Sequence, residues 1–196
     1  MKRELMIQKV FPALVFLVLW LDGRLYPIVV LPFLYVILVE KKTLSWMGFR
    51  VHGIWHSTAL GLLVSAILVT VFAQVAFLYA PVMPTFAITP SIILSDVLWY
   101  PIYEEVTYRS FFLAHSADFN ISVKSKRNVG ANICQAVFFT LIHRNHMESG
   151  MFLLLVIVFL LGLLNGMLFV RTKNITGCFI AHASLNTGAL LLRLLT

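Results

Sequence analysis

Two adjacent carboxylates and a guanidinium stand where a chain this apolar has least use for charge. In DVLWYPIYEEVTYRSFFLAHS, residues 96–116, Glu104, Glu105 and Arg109 interrupt a run of aromatic and aliphatic side chains. A charge at bilayer depth costs ~2.5–3.5 kcal/mol on insertion scales, so such residues are rare in spans and tend to be functional. Glu105 and Arg109 are four apart, share a helix face and can pair. Glu104 projects ~100° away from Glu105. One carboxylate is thus neutralised within its own helix and the other is left free. As a structural ion pair, Glu105 and Arg109 would leave Glu104 unexplained.

Two further polar clusters follow. FFTLIHRNH puts Phe139 and His143 on one helical face, with His146 three residues on, and CFIAHASLN puts His182 and Asn186 on one face. A lone histidine in an apolar helix is more often a packing residue than a catalyst, but joint occurrence with a free glutamate changes that balance. At ~1.5 Å per helical residue, Glu104, His143, His182 and Asn186 lie ~12–20 Å from the cytoplasmic ends of their spans, in one layer. A desolvated Glu104 is suited to take a proton from water, and His143 to position or share that water. His182 and Asn186 are suited to donate hydrogen bonds to a carbonyl oxygen as it becomes negative. The chemistry would be water-mediated amide hydrolysis without a covalent intermediate.

The elements that must hold these groups are membrane spans. Of 196 residues, 60% are hydrophobic and only 12% charged, about half the charge fraction of a soluble domain. Runs long enough for a ~30 Å hydrocarbon core fall at roughly 6–21, 25–40, 54–80, 89–116, 130–147, 149–171 and 174–195. The expected fold is all-α: a polytopic transmembrane bundle of about seven spans, with residues 1–196 as one domain and 89–195 as its catalytic region. Pro101 lacks an N–H and favours a kink before the glutamates. The segment KKTLSWMGFRVHG, 41–53, reads as an interfacial stretch. Gly162 and Gly166 form a G-x-x-x-G suited to close packing, internal or dimeric, and the oligomeric state is left open.

The net charge of +7 would suggest a nucleic-acid partner in a soluble protein. Here the cations sit in short loops, so a lipid bilayer is expected and nucleic acid is not. With the N-terminus cytoplasmic, the inner segments hold Lys2, Arg3, Lys9, Lys41, Lys42, Arg50, Lys124, Lys126, Arg127, Arg171 and Lys173, while the outer ones hold only Arg24, Arg144 and Arg193. His115 and Asp118 then fall at a cytoplasmic helix end and are expected to be solvated, and Asp96 lies near the outer interface or behind Glu104. Cys134 and Cys178 read as buried apolar fillers.

The order Glu-Glu-x-x-x-Arg (Glu104, Glu105, Arg109), Phe-x-x-x-His (Phe139, His143) and His-x-x-x-Asn (His182, Asn186) resembles the CPBP family of intramembrane proteases, also called the Abi or CAAX-protease family. The resemblance covers about residues 89–195, with a weaker echo in SWMGFR. It implies a glutamic-type intramembrane endopeptidase with a CPBP-like fold and no cofactor or metal. Glu104 and His143 would activate water, His182 and Asn186 would form the oxyanion hole, and Glu105, Arg109 and Phe139 would support them. Ser110 stands where members often carry glycine after the motif arginine, and the HRNH extension is unusual. The chain is similar to compact bacterial members linked to processing of C-terminal membrane-sorting tails. That implies a membrane-anchored protein substrate and a bacterial cytoplasmic-membrane location.

Three other readings use the same residues. Glu104, His143 and His182 could ligate zinc. Cys178, His182 and Asn186, at i, i+4 and i+8, could form a nucleophile, base and orienting group, although this wastes both glutamates. Buried glutamate and histidine also serve proton relays, so a transporter or a non-catalytic immunity or binding protein is the alternative of another class. The absence of an internal repeat in the sequence argues against the transporter.

Overall fold

In the computed structural model, residues 10–21, 29–79, 88–144 and 152–195 are described. Among them the secondary structure is helical, without strands. Helix α1 is Phe11–Leu21 and α2 is Val30–Val39, π-helical from Tyr35. A 3-10 turn follows at Leu44–Met47, then α3 at Ile54–Tyr79. Helix α4 covers residues 90–116 in five successive stretches of α and π geometry. Helices α5, Lys126–Leu141, α6, Phe152–Thr172, and α7, Thr176–Leu195, complete the chain. Each expected span therefore contains a helix.

The apolar surface argues for lipid around this bundle. In α3, only 22% of the apolar window Ile54–Phe77 is buried, against 56% in α6, and both helices are long and apolar enough to cross a membrane. Trp55 is 84% exposed and Phe77 79%, on a helix that also turns Leu62, Leu63 and Ile67 outward. A surface of that kind is a docking or aggregation face in water and an ordinary one in hydrocarbon.

Small residues set the helix contacts. Helix α7 lies along α3, and α6 packs between α5 and α3. At the first contact Gly61 meets Gly177 so closely that a Cβ on either would enter the other helix's backbone or that of Ser57. Ser57 tightens the joint, its Oγ donating to the Asn174 carbonyl at 3.1 Å and accepting from Gly177 N at 3.0 Å. At the second contact, Gly162 and Gly166 receive α5: a Cβ on Gly162 would lie 3.1 Å from Ala136 Cα, and one on Gly166 would strike Asn132. The G-x-x-x-G is therefore an internal packing motif. Removing those Cβ atoms also lets Gln135 Nε2 donate to the Gly162 carbonyl at 2.7 Å and Asn132 Nδ2 to the Leu163 carbonyl at 3.0 Å.

The 41–53 segment, expected at the interface, is anchored to the bundle through its centre. Met47 is fully buried, and Gly48, at φ 89°, turns the chain so that its carbonyl accepts from Ile175 N at 3.1 Å. Asn174 Nδ2 donates to the Arg50 carbonyl at 2.7 Å, so the segment brackets the α6–α7 connection. On either side of Met47 and Gly48 the segment faces outward, at Leu44 and Phe49 and most of all at Val51, 87% exposed. His115 is likewise not solvated: Nδ1 bonds the Phe111 carbonyl at 2.7 Å, Nε2 bonds Glu40 Oε1 at 3.0 Å, and Trp46 stacks edge-on at 4.7 Å. A histidine near a helix end was expected to meet water, but α2 and the 3-10 turn fold over it. Asp118 is half-buried, receiving Arg127 at 3.7 Å and bonding its own N–H to Asn128 Oδ1. Cys134 is exposed on the outer face of α5, whereas Cys178 is buried as expected.

Gly61→Ala should lower the thermal midpoint of the detergent-purified protein by an amount equivalent to ~1–3 kcal/mol, because backbone cannot yield to the new methyl. Gly130→Ala, with open space around its Cβ, should leave the midpoint unchanged or raise it slightly. Equal midpoints for the two variants would contradict the packing described.

Candidate active site

Helix α4 presents the two glutamates between two π-helical stretches, Leu94–Trp99 and Val106–Leu113. Widened turns of this kind often mark functional positions. The first arises where Pro101, at the start of the stretch Tyr100–Glu105, has no N–H to offer. The break expected at Pro101 is thus taken up as a wide turn. Thr107 Oγ1 donates to the Tyr103 carbonyl at 2.8 Å, supplying side-chain hydrogen bonding where the second wide turn begins.

Glu105 is completely buried and is the hub of the site. Its Oε2 lies 3.1 Å from Arg109 Nε, the i, i+4 pair expected from spacing. Its Oε1 accepts from His182 Nδ1 at 2.8 Å and from Asn165 Nδ2 at 3.1 Å. One carboxylate therefore joins α4, α6 and α7. Among the described residues no Arg109 nitrogen makes a directed hydrogen bond, so the pair is held by charge proximity. The guanidinium is also seated on an aromatic face, 4.5 Å from the centre of the Phe139 ring. Phe139 in turn meets His143 at 5.0 Å and His182 edge-on at 5.8 Å, so it packs under three of the polar groups at once.

Glu104 points elsewhere, as the helical rotation requires. Its Oε2 lies 3.6 Å from His182 Nε2 and 3.9 Å from His143 Nε2. These gaps exceed a direct hydrogen bond, so the carboxylate approaches both rings without bonding either. His143 sits in the turn after α5, whose helix ends at Leu141 rather than running to 147. The ring is oriented by Nδ1, 2.9 Å from the Phe139 carbonyl. A carbonyl only accepts, so that nitrogen carries a proton and a neutral ring turns its Nε2 lone pair toward Glu104. His182 is oriented in the same way by Glu105. His146 lies outside the described residues.

Asn186 occupies the turn of α7 beyond His182 and donates Nδ2 to the backbone carbonyl of Asp96 at 2.7 Å. The Asp96 carboxylate is not part of the cluster; Oδ1 accepts from Ser95 Oγ at 3.2 Å. Asn165 was not singled out in the sequence. It is fully buried, and its Nδ2 is shared between Glu105 and the Cys178 carbonyl, the latter at 2.9 Å. A lone amide between Gly162 and Gly166, in the most apolar span, was the signal available. Cys178 Sγ donates to the Asn165 carbonyl at 3.2 Å, while both nitrogens of His182 face carboxylates. The cysteine–histidine pairing therefore does not form. Among the described residues, no three His, Cys, Asp or Glu side chains are grouped so as to hold a metal ion.

The model of the family described as type II CAAX prenyl endopeptidase Rce1-like matches residues 86–188, just over half of the chain. The chain belongs to that family. The matched region runs from just before α4 into α7 and so contains every residue of the cluster. Membership in this CAAX-protease family, with the apolar helices, identifies a membrane protein of protease type whose substrates are membrane-associated proteins. No curated protein and no solved structure matches the chain.

Arg109→Ala should reduce yield and thermal midpoint in this Rce1-like protein, by an amount equivalent to ~3–5 kcal/mol, since it leaves Glu105 buried without its counter-charge. Adding Glu105→Gln should recover part of that loss. A second substitution that merely adds to the damage would show that the charge pair is not the source of the effect.

Proposed function

We propose that this protein is a glutamic-type intramembrane endopeptidase that hydrolyses a peptide bond of a membrane-anchored protein near or within the bilayer. The observation that carries the reading is the approach of Glu104 Oε2 to two imidazoles, His143 and His182, each fixed through Nδ1 so that Nε2 faces the carboxylate. A water bridging Glu104 and His143 would give one O–H to each, leaving an oxygen lone pair for the carbonyl carbon. Glu104 would take the proton as the C–O bond forms and return it to the leaving amine.

His182 and Asn186 are the oxyanion donors in this scheme. His182 acts in this scheme with a proton on Nε2, 3.6 Å from the Glu104 carboxylate. That Nε2–H would then donate to the substrate oxygen as it becomes negative. Asn186 keeps one N–H for the same oxygen after bonding Asp96. No cofactor has a part in the scheme. Zinc on Glu104, His143 and His182 is the rival hydrolytic chemistry; it requires these three to draw closer into a ligand set than they are here, and sensitivity to chelation.

The positive-inside count supports seven spans with the N-terminus cytoplasmic and a site toward the outer leaflet, and the resemblance to compact bacterial members supports a bacterial cytoplasmic membrane. A C-terminal tail that sorts a surface protein is the substrate class that fits such a site. Mass spectrometry of protein C-termini, in membranes of cells carrying the native form or Glu104→Ala at matched levels, tests this. Proteins that lose a tail only with the native form support the protease; indistinguishable profiles, where the native protein still has a biological effect, favour binding or transport.

Glu104→Gln should abolish cleavage and leave the melting profile intact, because it keeps the shape and removes the base. Cys178→Ala and treatment with a zinc chelator should each leave turnover unchanged. Loss of activity in a folded Cys178→Ala protein would return the assignment to a cysteine nucleophile, and loss on chelation would return it to a metal.

A further inference from the structure

The Asp96 carbonyl is an acceptor to which α4 offers neither its α-helical nor its π-helical backbone donor. Its α-helical partner would be the N–H of Tyr100, but the wide turn directs that N–H to the Ser95 carbonyl. Its π-helical partner, five residues on, would be residue 101, which is proline. In a membrane-spanning segment a backbone carbonyl without a donor is costly, because lipid supplies none. Asn186 Nδ2, at 2.7 Å, supplies the missing hydrogen bond from α7.

We infer that Asn186 is a positioning residue: its amide latches α7 to the Pro101 break in α4 and thereby sets how His182 meets Glu104. The inference builds on the proteolytic reading above and gives Asn186 work beyond donation to substrate. Two polar ties join the helices, His182 Nδ1 to Glu105 Oε1 at 2.8 Å and Asn186 Nδ2 to the Asp96 carbonyl. Helix α7 is held along α3 by its own packing, and a single tie to α4 would leave the angle between α4 and α7 set by that packing alone. Two ties at different heights fix that angle, and with it the separation of 3.6 Å between His182 Nε2 and Glu104 Oε2. Proline at 101 and asparagine at 186 are therefore parts of one device: one residue removes the donor and the other replaces it.

The test is a double-mutant cycle with Asn186→Ala and Pro101→Ala, since alanine at 101 restores a backbone N–H to the break. Two readouts are taken on detergent-purified protein: thermal midpoint and the Nδ1–H resonance of His182 in 15N-histidine-labelled samples. Asn186→Ala alone should lower the midpoint and shift the His182 resonance. In the Pro101→Ala background the same substitution should cost less in both. Losses that are equal in both backgrounds would overturn the latch and leave Asn186 as a substrate contact alone. Coupling in the midpoint, with an unmoved His182 resonance, would overturn the positioning role and leave a purely structural bond. The midpoint and the resonance need no substrate, so they decide the inference even where the native protein shows no cleavage and the proteolytic reading itself fails.

Discussion

The site depends on satisfying one buried carboxylate. Glu105 is out of reach of water, and an unpaired charge there would be untenable, so every neighbour is arranged around it. Arg109 supplies the opposite charge from the same helix, Asn165 a hydrogen bond from α6, and His182 another from α7. The three helices are thus tied at one point before any chemistry is considered. Because His182 spends Nδ1 on that tie, its other nitrogen is aimed at Glu104. The structural carboxylate orients the ring, and the ring meets the free carboxylate.

That hub can form only if the helices approach closely enough for short side chains to bridge them. The contacts of Gly61 with Gly177, and of Gly162 and Gly166 with α5, remove the Cβ atoms that would hold the backbones apart. Close approach brings backbone carbonyls within reach of Gln135, Asn132 and Ser57, so hydrogen bonds between helices replace the hydrophobic drive that lipid cannot provide. Irregularity in α4 has the complementary role. Its wide turns bring carbonyls and side chains into positions that a uniform helix would not offer, and residues on α7 answer them.

Spacing along the chain already predicted much of this. Glu105 and Arg109 at i, i+4 pair as expected, Glu104 diverges from them, and Phe139 to His143 and His182 to Asn186 each share a face. The G-x-x-x-G foretold close packing. What spacing could not anticipate is where a helix stops or changes pitch. Helix α5 ends before His143, so the ring is held in a turn by its own backbone contact, and Pro101 is accommodated by a widened turn. A lone amide in an apolar run, such as Asn165, looks the same in sequence whether it faces lipid or a buried glutamate. His115 shows the opposite case: a position near a helix end says nothing of what folds over it.

The sequence by itself determined the helical, membrane-embedded character, the pairing of charge within α4 and the identity of the polar groups that share a layer, because these follow from composition and from residues a few positions apart. Tertiary structure decided that His182 commits Nδ1 to Glu105, that Asn165 completes the hub, that Cys178 is spent on a neighbouring carbonyl, and that Asn186 binds the backbone at Asp96. Each of those depends on the approach of residues 13–90 positions apart in the chain. Local periodicity carries no information about partners at such separations, since they are set by how closely the glycine-lined helices can pack.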